Sequence, residues 1–193
     1  MIKPHLPMLA LAVVFSAGCK KDTPTQTTTT TSATVAATTT ASAAPKKGEC
    51  QAGYTKVEQM AFCIKLPEGY TADPPKKGDD PKEPFSVDFE KNGDKFDGFT
   101  CHVTTDTFAS VKEDNESFVD KAKHDVKDTG DLLGGKGWYF FSSTKGAKEG
   151  GTIGVYVQVP KYVVVCEQAG NGNWKGYQAT LEIWKTIMPL EGG

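Results

Sequence analysis

The sequence predicts an α+β domain in which an antiparallel β-sheet of about six strands packs with two helices. Three observations support this class: short segments alternate apolar and polar residues, turn residues separate them, and two stretches repeat apolar residues at helical spacing. With 38% hydrophobic and 24% charged residues among 193, the chain is long enough for one globular domain and hardly for two.

The first part of the domain is predicted to consist of strands. A strand over Ala61–Leu66 ends at a Pro-Glu-Gly turn, and the proline- and charge-rich stretch Asp73–Pro84 then forms a long loop. The turn signal Asn92-Gly93 separates two alternating segments, which predicts an antiparallel hairpin. The alternating apolar residues are Phe85, Val87 and Phe89 before the turn and Phe99, Cys101 and Val103 after it.

A helix is predicted next. Ser110 and Glu113 fit a capping box, and apolar residues recur at helical spacing from Val111 to Val126 until Gly130 ends the element.

Three strands and a last helix complete the domain. The strands are expected over Trp138–Ser143, Thr152–Val159 and Tyr162–Gln168. The helix is expected to stop at Pro189, since proline cannot continue a helix. Its apolar face would comprise Tyr177, Leu181, Trp184 and Met188.

The N-terminus has the layout of a secretory signal segment. One cation, Lys3, precedes an apolar run from Leu6 to Ala17, which is shorter than the roughly 20 residues that span a bilayer. Residues Ser16-Ala17-Gly18-Cys19 resemble the lipobox of bacterial lipoproteins, with serine where leucine is usual. The resemblance implies a signal peptide over residues 1–18 and lipidation of Cys19. The alternative is an ordinary secreted protein that is cut near this cysteine.

Residues 19–48 are interpreted as the lipidated cysteine and a flexible linker. From Thr23 to Pro45 the chain has 11 Thr, 6 Ala and 2 Ser, so it has little to bury against the entropy of ordering. O-linked sugar is a second use of such a tract. Lys20 occupies the position where aspartate retains enteric lipoproteins in the inner membrane. We therefore expect an outer-membrane protein whose domain, residues 49–193, faces the periplasm or the cell surface.

The four other cysteines are expected to form two disulfides, because an even number in an oxidising compartment favours bridges. They are Cys50, Cys63, Cys101 and Cys166. Three connectivities are possible. We favour Cys50 with Cys63, which fastens the start of the domain, and Cys101 with Cys166, which ties two apolar strands. A zinc site is the alternative, but no C-x-x-C pair exists, so we expect neither a metal nor a cofactor.

Two motifs that resemble binding loops have simpler structural interpretations. Residues Asp88–Asp97 resemble a calcium loop, but the twelfth position holds Phe99 instead of a bidentate glutamate, which favours a hairpin turn. The glycine-rich stretch 134–137 lacks the frame of a phosphate loop and is expected to be a turn before Trp138.

The histidines do not indicate an active site. His124 is expected on the surface of the first helix, and His102 on the strand face opposite Cys101. A hydrolase would need a nucleophile motif such as G-x-S-x-G, which the sequence lacks, or a free cysteine. All 22 basic residues are lysine and the net charge is −2, which disfavours nucleic-acid binding.

Two segments resemble the Mog1/PsbP-like superfamily. Phe62–Tyr70 looks like its opening strand and turn, and Leu181–Ile187 is similar to its C-terminal helix; the resemblance spans Tyr54 to Leu190. It implies an α/β/α sandwich and an accessory or interaction role rather than catalysis, and it supplies no catalytic residue.

The function expected from the sequence is a membrane-anchored, non-catalytic binding module. Its partners would be the membrane, through the lipid anchor, and an envelope protein, and the domain would be a monomer. The expected partner loop lies within Asp73–Pro84 and comprises Lys77, Asp79, Asp80 and Lys82. The alternative function is an envelope hydrolase with a dispersed active site.

Overall fold

Strands dominate the computed structural model, which describes residues 47–147, 150–170 and 174–190, without the side chains of Lys95, Phe96 and Trp174. The expected signal peptide, Cys19 and nearly all of the expected linker lie outside the described residues. The strands are β1 (Thr55–Val57), β2 (Phe62–Ile64), β3 (Tyr70–Ala72), β4 (Lys76–Lys77), β5 (Phe85–Lys91), β6 (Asp94–Thr104), β7 (His124–Leu132), β8 (Gly137–Thr144), β9 (Gly151–Gln158), β10 (Val163–Gly170) and β11 (Met188–Pro189). The helices are α1 (Phe108–Asn115) and α2 (Trp174–Trp184). Neither described helix combines the length and the hydrophobicity that crossing a bilayer requires.

The strands form two antiparallel sheets. The larger has eight strands in the order β3-β5-β6-β10-β9-β8-β7, with β4 also paired to β5. The smaller has the order β1-β2-β11. The prediction of about six strands is therefore too low, because the short strands β3 and β4 and the strand after α1 were not expected. The predicted α+β class fits roughly, because the structure is mostly β-sheet and has two α-helices.

The helices cover opposite faces of the larger sheet. In β10, Val164 and Cys166 belong to the core that includes residues of α2, whereas Val163 and Val165 belong to the core that includes Val111 of α1. Successive residues of a strand point to opposite faces, so the two cores lie on opposite sides. We term face A the side that α2 and the smaller sheet cover, and face B the side that α1 covers.

The predicted hairpin at Asn92-Gly93 is confirmed. The turn joins β5 and β6, and its two residues have φ values of 53° and 75°, as a type I′ turn requires. The predicted turn before Trp138 is also present, and the three strands predicted after it correspond to β8, β9 and β10. The strand predicted over Ala61–Leu66 is the shorter β2.

The helix predicted over 110–130 is wrong over most of its length. The observed helix α1 begins before the predicted cap. Its N-cap is Thr107, whose side chain accepts a hydrogen bond from the Ser110 amide. A 3-10 turn, Glu116–Val119, follows, and the chain then becomes β7, which pairs with β8. The apolar residues do meet helical spacing. The β-branched Val126 and Thr129 favour a strand, however, and the backbone hydrogen bonds to β8 stabilise this segment as a strand rather than as a helix.

The last helix is confirmed in its core-facing residues but ends earlier than predicted. Tyr177, Leu181 and Trp184 are buried against face A. The helix ends at Trp184, and the Thr186 hydroxyl accepts a hydrogen bond of 2.9 Å from the Lys65 amide. Met188, expected on the helix, instead pairs with Cys63 in the smaller sheet.

Both disulfides have the pairing that the sequence favours. Cys50–Cys63 joins the segment before β1 to β2, and Cys101–Cys166 joins β6 to β10. Cys101 and Cys166 face each other across the two strands and are fully buried. Among the described strands, the half of the sheet that contains β3 to β6 pairs with the half that contains β7 to β10 only at this junction.

We expect the Cys101–Cys166 bond to contribute more stability than the Cys50–Cys63 bond. The sequence separations are 65 and 13 residues, and loop-closure entropy then gives about 4 and about 3 kcal/mol, respectively. The measurement is urea unfolding of Cys101→Ala/Cys166→Ala and of Cys50→Ala/Cys63→Ala, with both cysteines of a pair replaced so that no free thiol remains. A larger loss in the second variant would contradict this order.

Candidate functional site

Face B is covered by helix over only part of its width. Val111 of α1 and Phe118 of the 3-10 turn pack on β8, β9 and β10. Farther across, β5, β6 and the end of β10 present polar side chains that are half-buried or exposed. A groove of about 360 Å³ lies there, which we term the open groove. It is lined by Asp88, Phe89, Glu90, Gly98, Phe99, Thr100, Glu167 and Gln168.

An irregularity between β5 and β6 shapes the open groove. The register of the pair shifts between Phe89 and Lys91. At Gly98 the backbones are so close that an added Cβ would lie 1.9 Å from the Phe89 carbonyl oxygen. Glycine is therefore required at this position, and the regular ladder is interrupted where the groove lies.

Asp88 is the charged centre of the β5 side of the groove. It lies opposite Thr100, whose hydroxyl donates a 2.6 Å hydrogen bond to Asp88 Oδ1. Lys76 of β4 donates to Oδ2 at 2.5 Å. This hydrogen bond and the attraction of the carboxylate raise the pKa of Lys76. Both carboxylate oxygens of Asp88 are thus engaged by neighbouring side chains that fix its orientation in the groove.

Glu167 provides a carboxylate from β10, in addition to Asp88 and Glu90 of β5. It accepts a 2.5 Å hydrogen bond from the hydroxyl of Tyr156 in the neighbouring strand β9. The Tyr156 side chain belongs to the core beneath α1. Burial, with the charge and hydrogen bond of Glu167, raises the pKa of this phenol. Tyr156 thus holds Glu167 in a fixed position while the carboxylate remains exposed.

The open groove can accept hydrogen bonds from a cationic or amide-bearing ligand. Its polar side chains supply carboxylate, hydroxyl and amide oxygens, and such oxygens pair well with lysine or arginine. In the described part of the chain, no three His, Cys, Asp or Glu side chains are grouped so as to hold a metal ion. The lining of the groove thus offers acceptor oxygens to a donor group.

The expected partner loop is attached to the border of this surface. Lys77 pairs with Phe85 as part of β4. Asp80 accepts a hydrogen bond from the Lys82 amide at 2.8 Å, and the Lys82 ammonium lies 3.3 Å from Asp106. The stretch is thus an ordered connection rather than a free loop, with Asp79 exposed between these contacts.

The other residues considered from the sequence do not converge on a site. His124 lies on β7 rather than on a helix, and its ring contacts Phe118. His102 faces the side of the sheet opposite to that of Cys101, as expected. Its Nε2 lies 3.7 Å from a carboxylate oxygen of Glu83. The segment Asp88–Asp97 is the β5–β6 hairpin.

No local sequence pattern predicts Thr100, Tyr156 and Glu167 as groove residues. Asp88 belongs to the calcium-like segment, but no local pattern connects it with Glu167. A usable signal was present: Thr100 and Glu167 each adjoin a cysteine of the favoured Cys101–Cys166 bond, which brings their strands together.

A second cleft lies on face A beside α2. A bulge between Val126 and Asp128 leaves Lys127 as an extra residue in β7. The cleft measures about 370 Å³ and is lined by Lys127, Asp128, Phe141, Gln178 and Leu181.

A charged network at this cleft fastens the end of α2 to the sheet. Lys185 Nζ lies 2.8 Å from Asp128 and 3.0 Å from Glu182, and it stands 4.0 Å from the centre of the Tyr139 ring. Burial alone would raise the pKa of Asp128, but Lys185 and the Tyr139 hydroxyl outweigh burial and lower this pKa. Burial would lower the pKa of Lys185, but the two carboxylates raise it. These bonds give the network a structural role.

Replacing Lys185 should destabilise the domain in a pH-dependent way. Because the Asp128 pKa is lowered in the folded state, this carboxylate stabilises the domain above about pH 4, and the stabilisation is lost as the pH falls through the folded-state pKa. Because the Lys185 pKa is raised, the ammonium stabilises the domain until the pH rises through the pKa of Lys185 in the folded state. We expect Lys185→Met to lower the free energy of unfolding by about 1 kcal/mol at pH 7. The difference from the wild type should disappear in strong acid, where Asp128 is protonated. Urea unfolding at several pH values measures this, with Lys175→Met as the exposed control on α2. A gap independent of pH would contradict it.

Comparisons with known proteins give a likeness in structure but none in sequence. No protein-family model matches the chain, and no curated protein matches it. The chain is similar to the solution structure of cyanobacterial PsbP (CyanoP) from Synechocystis sp. PCC 6803, with 10% sequence identity and a TM-score of 0.44. The match covers 74% of this chain and 98% of that chain. A likeness at this level carries no argument about function, and the Mog1/PsbP-like relationship stays a prediction.

Proposed function

We propose that the chain is an outer-membrane lipoprotein, anchored through Cys19, whose domain is a non-catalytic binding module in the cell envelope. The lipobox-like residues Ser16–Cys19 support the anchor, and two disulfides suit an oxidising compartment. The domain acts as a monomer, without metal, cofactor or nucleic acid.

The open groove binds a lysine- or arginine-bearing segment of an envelope protein. The observation that carries this proposal is the convergence of Asp88 and Glu167, from β5 and β10, on one groove. Each carboxylate is already oriented by a hydroxyl group, that of Thr100 or that of Tyr156, so binding requires little further ordering. Asp88 is also paired with Lys76, so a cationic ligand shares this carboxylate with the lysine or displaces it. Charge complementarity therefore selects a cationic partner.

Replacing Cys19 by serine should release the protein from membranes. Acyl chains hold a protein through about 0.8 kcal/mol per buried methylene, and without the thiol none can be attached. Acyl labelling should disappear, and the mature protein should move from the membrane fraction to the soluble fraction. Lys20→Asp serves as the control, because it retains the thiol and should keep the label. Unchanged mass and membrane association in Cys19→Ser would refute the anchor.

Removing charge from the groove should weaken binding of a cationic peptide. The probe is a fluorescein-labelled Gly-Lys-Gly-Lys-Gly-Lys peptide, and its anisotropy is titrated with the full chain at low and physiological salt. Each of Asp88→Asn and Glu167→Gln should raise the dissociation constant up to about fivefold, as expected for an exposed charge pair. Higher salt should reduce the difference.

The matched control is Glu113→Gln, which removes an exposed carboxylate from α1. It should leave peptide binding unchanged, and near-UV circular dichroism should show that all variants are folded. Equal binding by the wild type and by the Asp88→Asn/Glu167→Gln double variant would disprove the groove as the binding site.

A further inference from the structure

The β7–β8 turn exposes a leucine in a rarely adopted backbone conformation. Leu133 has a φ of 52°, which is uncommon for a bulky side chain. It is 41% exposed, and it is the only large hydrophobic residue that is exposed in the described part of the chain. A single exposed hydrophobic residue needs no explanation, but one held in a strained conformation motivates a hypothesis of function. Glycine or asparagine would fit this backbone more easily.

One cation lies on the same turn as Leu133, and a second lies on the neighbouring β9–β10 turn. Lys136 belongs to the same turn, and its carbonyl oxygen accepts a 2.8 Å hydrogen bond from the Gln158 amide. This bond places the β9–β10 turn, with Pro160 and Lys161, next to the β7–β8 turn. Both lysines are exposed, and neither forms an ion pair with a residue that the structure describes. We term Leu133, Lys136, Pro160 and Lys161 the tip.

Acidic residues near the tip are either paired or distant. Asp131 lies 3.1 Å from the ammonium of Lys112. Asp106, which follows β6, lies 3.3 Å from the ammonium of Lys82. The acidic stretch Asp79–Glu83 borders β5, which is four strands or about 19 Å from β8, but only two strands or about 10 Å from β10, where the turn with Lys161 ends. Both distances exceed the Debye length of about 8 Å at physiological ionic strength. The tip is thus cationic and apolar on a chain whose net charge is −2.

We propose that the tip is a second membrane contact, in which Leu133 inserts among the headgroups of an anionic bilayer and Lys136 and Lys161 bind lipid phosphates. The proposal rests on the proposed anchoring through Cys19. A lysine near an anionic surface favours binding about fivefold, so the tip alone binds weakly. The linker expected from the sequence would hold the domain at an average of about 30 Å from its anchor. Because the lipid anchor already holds the chain at the bilayer, contact of the tip is a tethered second binding event with an effective concentration near millimolar.

A lipid surface fits the tip better than a protein does. Specific protein interfaces bury at least about 1,000 Å² and centre on aromatic or arginine anchors. The tip consists of two narrow turns with one exposed leucine. A bilayer surface requires only complementary charge and a shallow apolar layer, and the tip supplies both.

Fluorescence quenching by brominated lipids tests the contact. Lipidated Leu133→Trp protein is reconstituted into vesicles of phosphatidylethanolamine and phosphatidylglycerol with brominated acyl chains, and the signal of the parent protein is subtracted. The Leu133→Trp reporter should be quenched, whereas Lys175→Trp, exposed near the start of α2 at the opposite end of the sheet, should show no added quenching. Since both reporters are tryptophan, the preference of this residue for interfaces is matched. Adding Lys136→Gln/Lys161→Gln to Leu133→Trp should remove most of the quenching.

The outcomes separate this inference from the proposed anchor. If the parent protein does not stay with the vesicles, the proposed anchor is wrong. The tip is then tested by adding excess vesicles to the soluble chain. Quenching of the Leu133→Trp reporter is still expected in that experiment. If the protein stays anchored but this reporter is not quenched, the tip inference alone is wrong. Equal quenching in phosphatidylcholine vesicles, or quenching that requires added envelope proteins, would also overturn it.

Discussion

The pairing of β6 with β10 is the constraint on which the rest of the larger sheet depends. In each half of the sheet, strands close in sequence are neighbours, and the described halves meet only at this pair. The junction joins residues 65 positions apart, so forming it costs more loop-closure entropy than forming a hairpin. The Cys101–Cys166 bond removes part of that cost by restricting the unfolded chain. The register of this one pair decides which residues of the two halves share a face.

The open groove is a product of the same junction. Thr100 and Glu167 each adjoin a cysteine of the buried disulfide, so the crosslink that stabilises the sheet also fixes the spacing of two polar groups on face B. Face A is filled by α2 and the smaller sheet, and it supplies most of the buried core. Most of the buried core therefore lies on the side of the sheet opposite the open groove.

The strands were predictable because alternation is a local property of the sequence. It suffices for β5, β6, β8, β9 and β10, and the Asn92-Gly93 signal suffices for the hairpin. Residues 110–130 mark the limit of this reasoning, because their apolar spacing fits a helix while a distant strand, β8, determines their conformation. The groove marks a second limit. Asp88 and Glu167 become a site only through the order of the strands, which no single segment encodes.

Strand β7 forms one outer edge of the larger sheet, and such an edge can act as a template for another copy of the chain. The extra residue Lys127 breaks the straight ladder of β7. Two such edges that approached each other would therefore be mismatched in shape, because the bulge interrupts the regular spacing of backbone donors and acceptors. The irregularity that opens a cleft beside α2 thereby also disfavours the addition of a further strand at this edge.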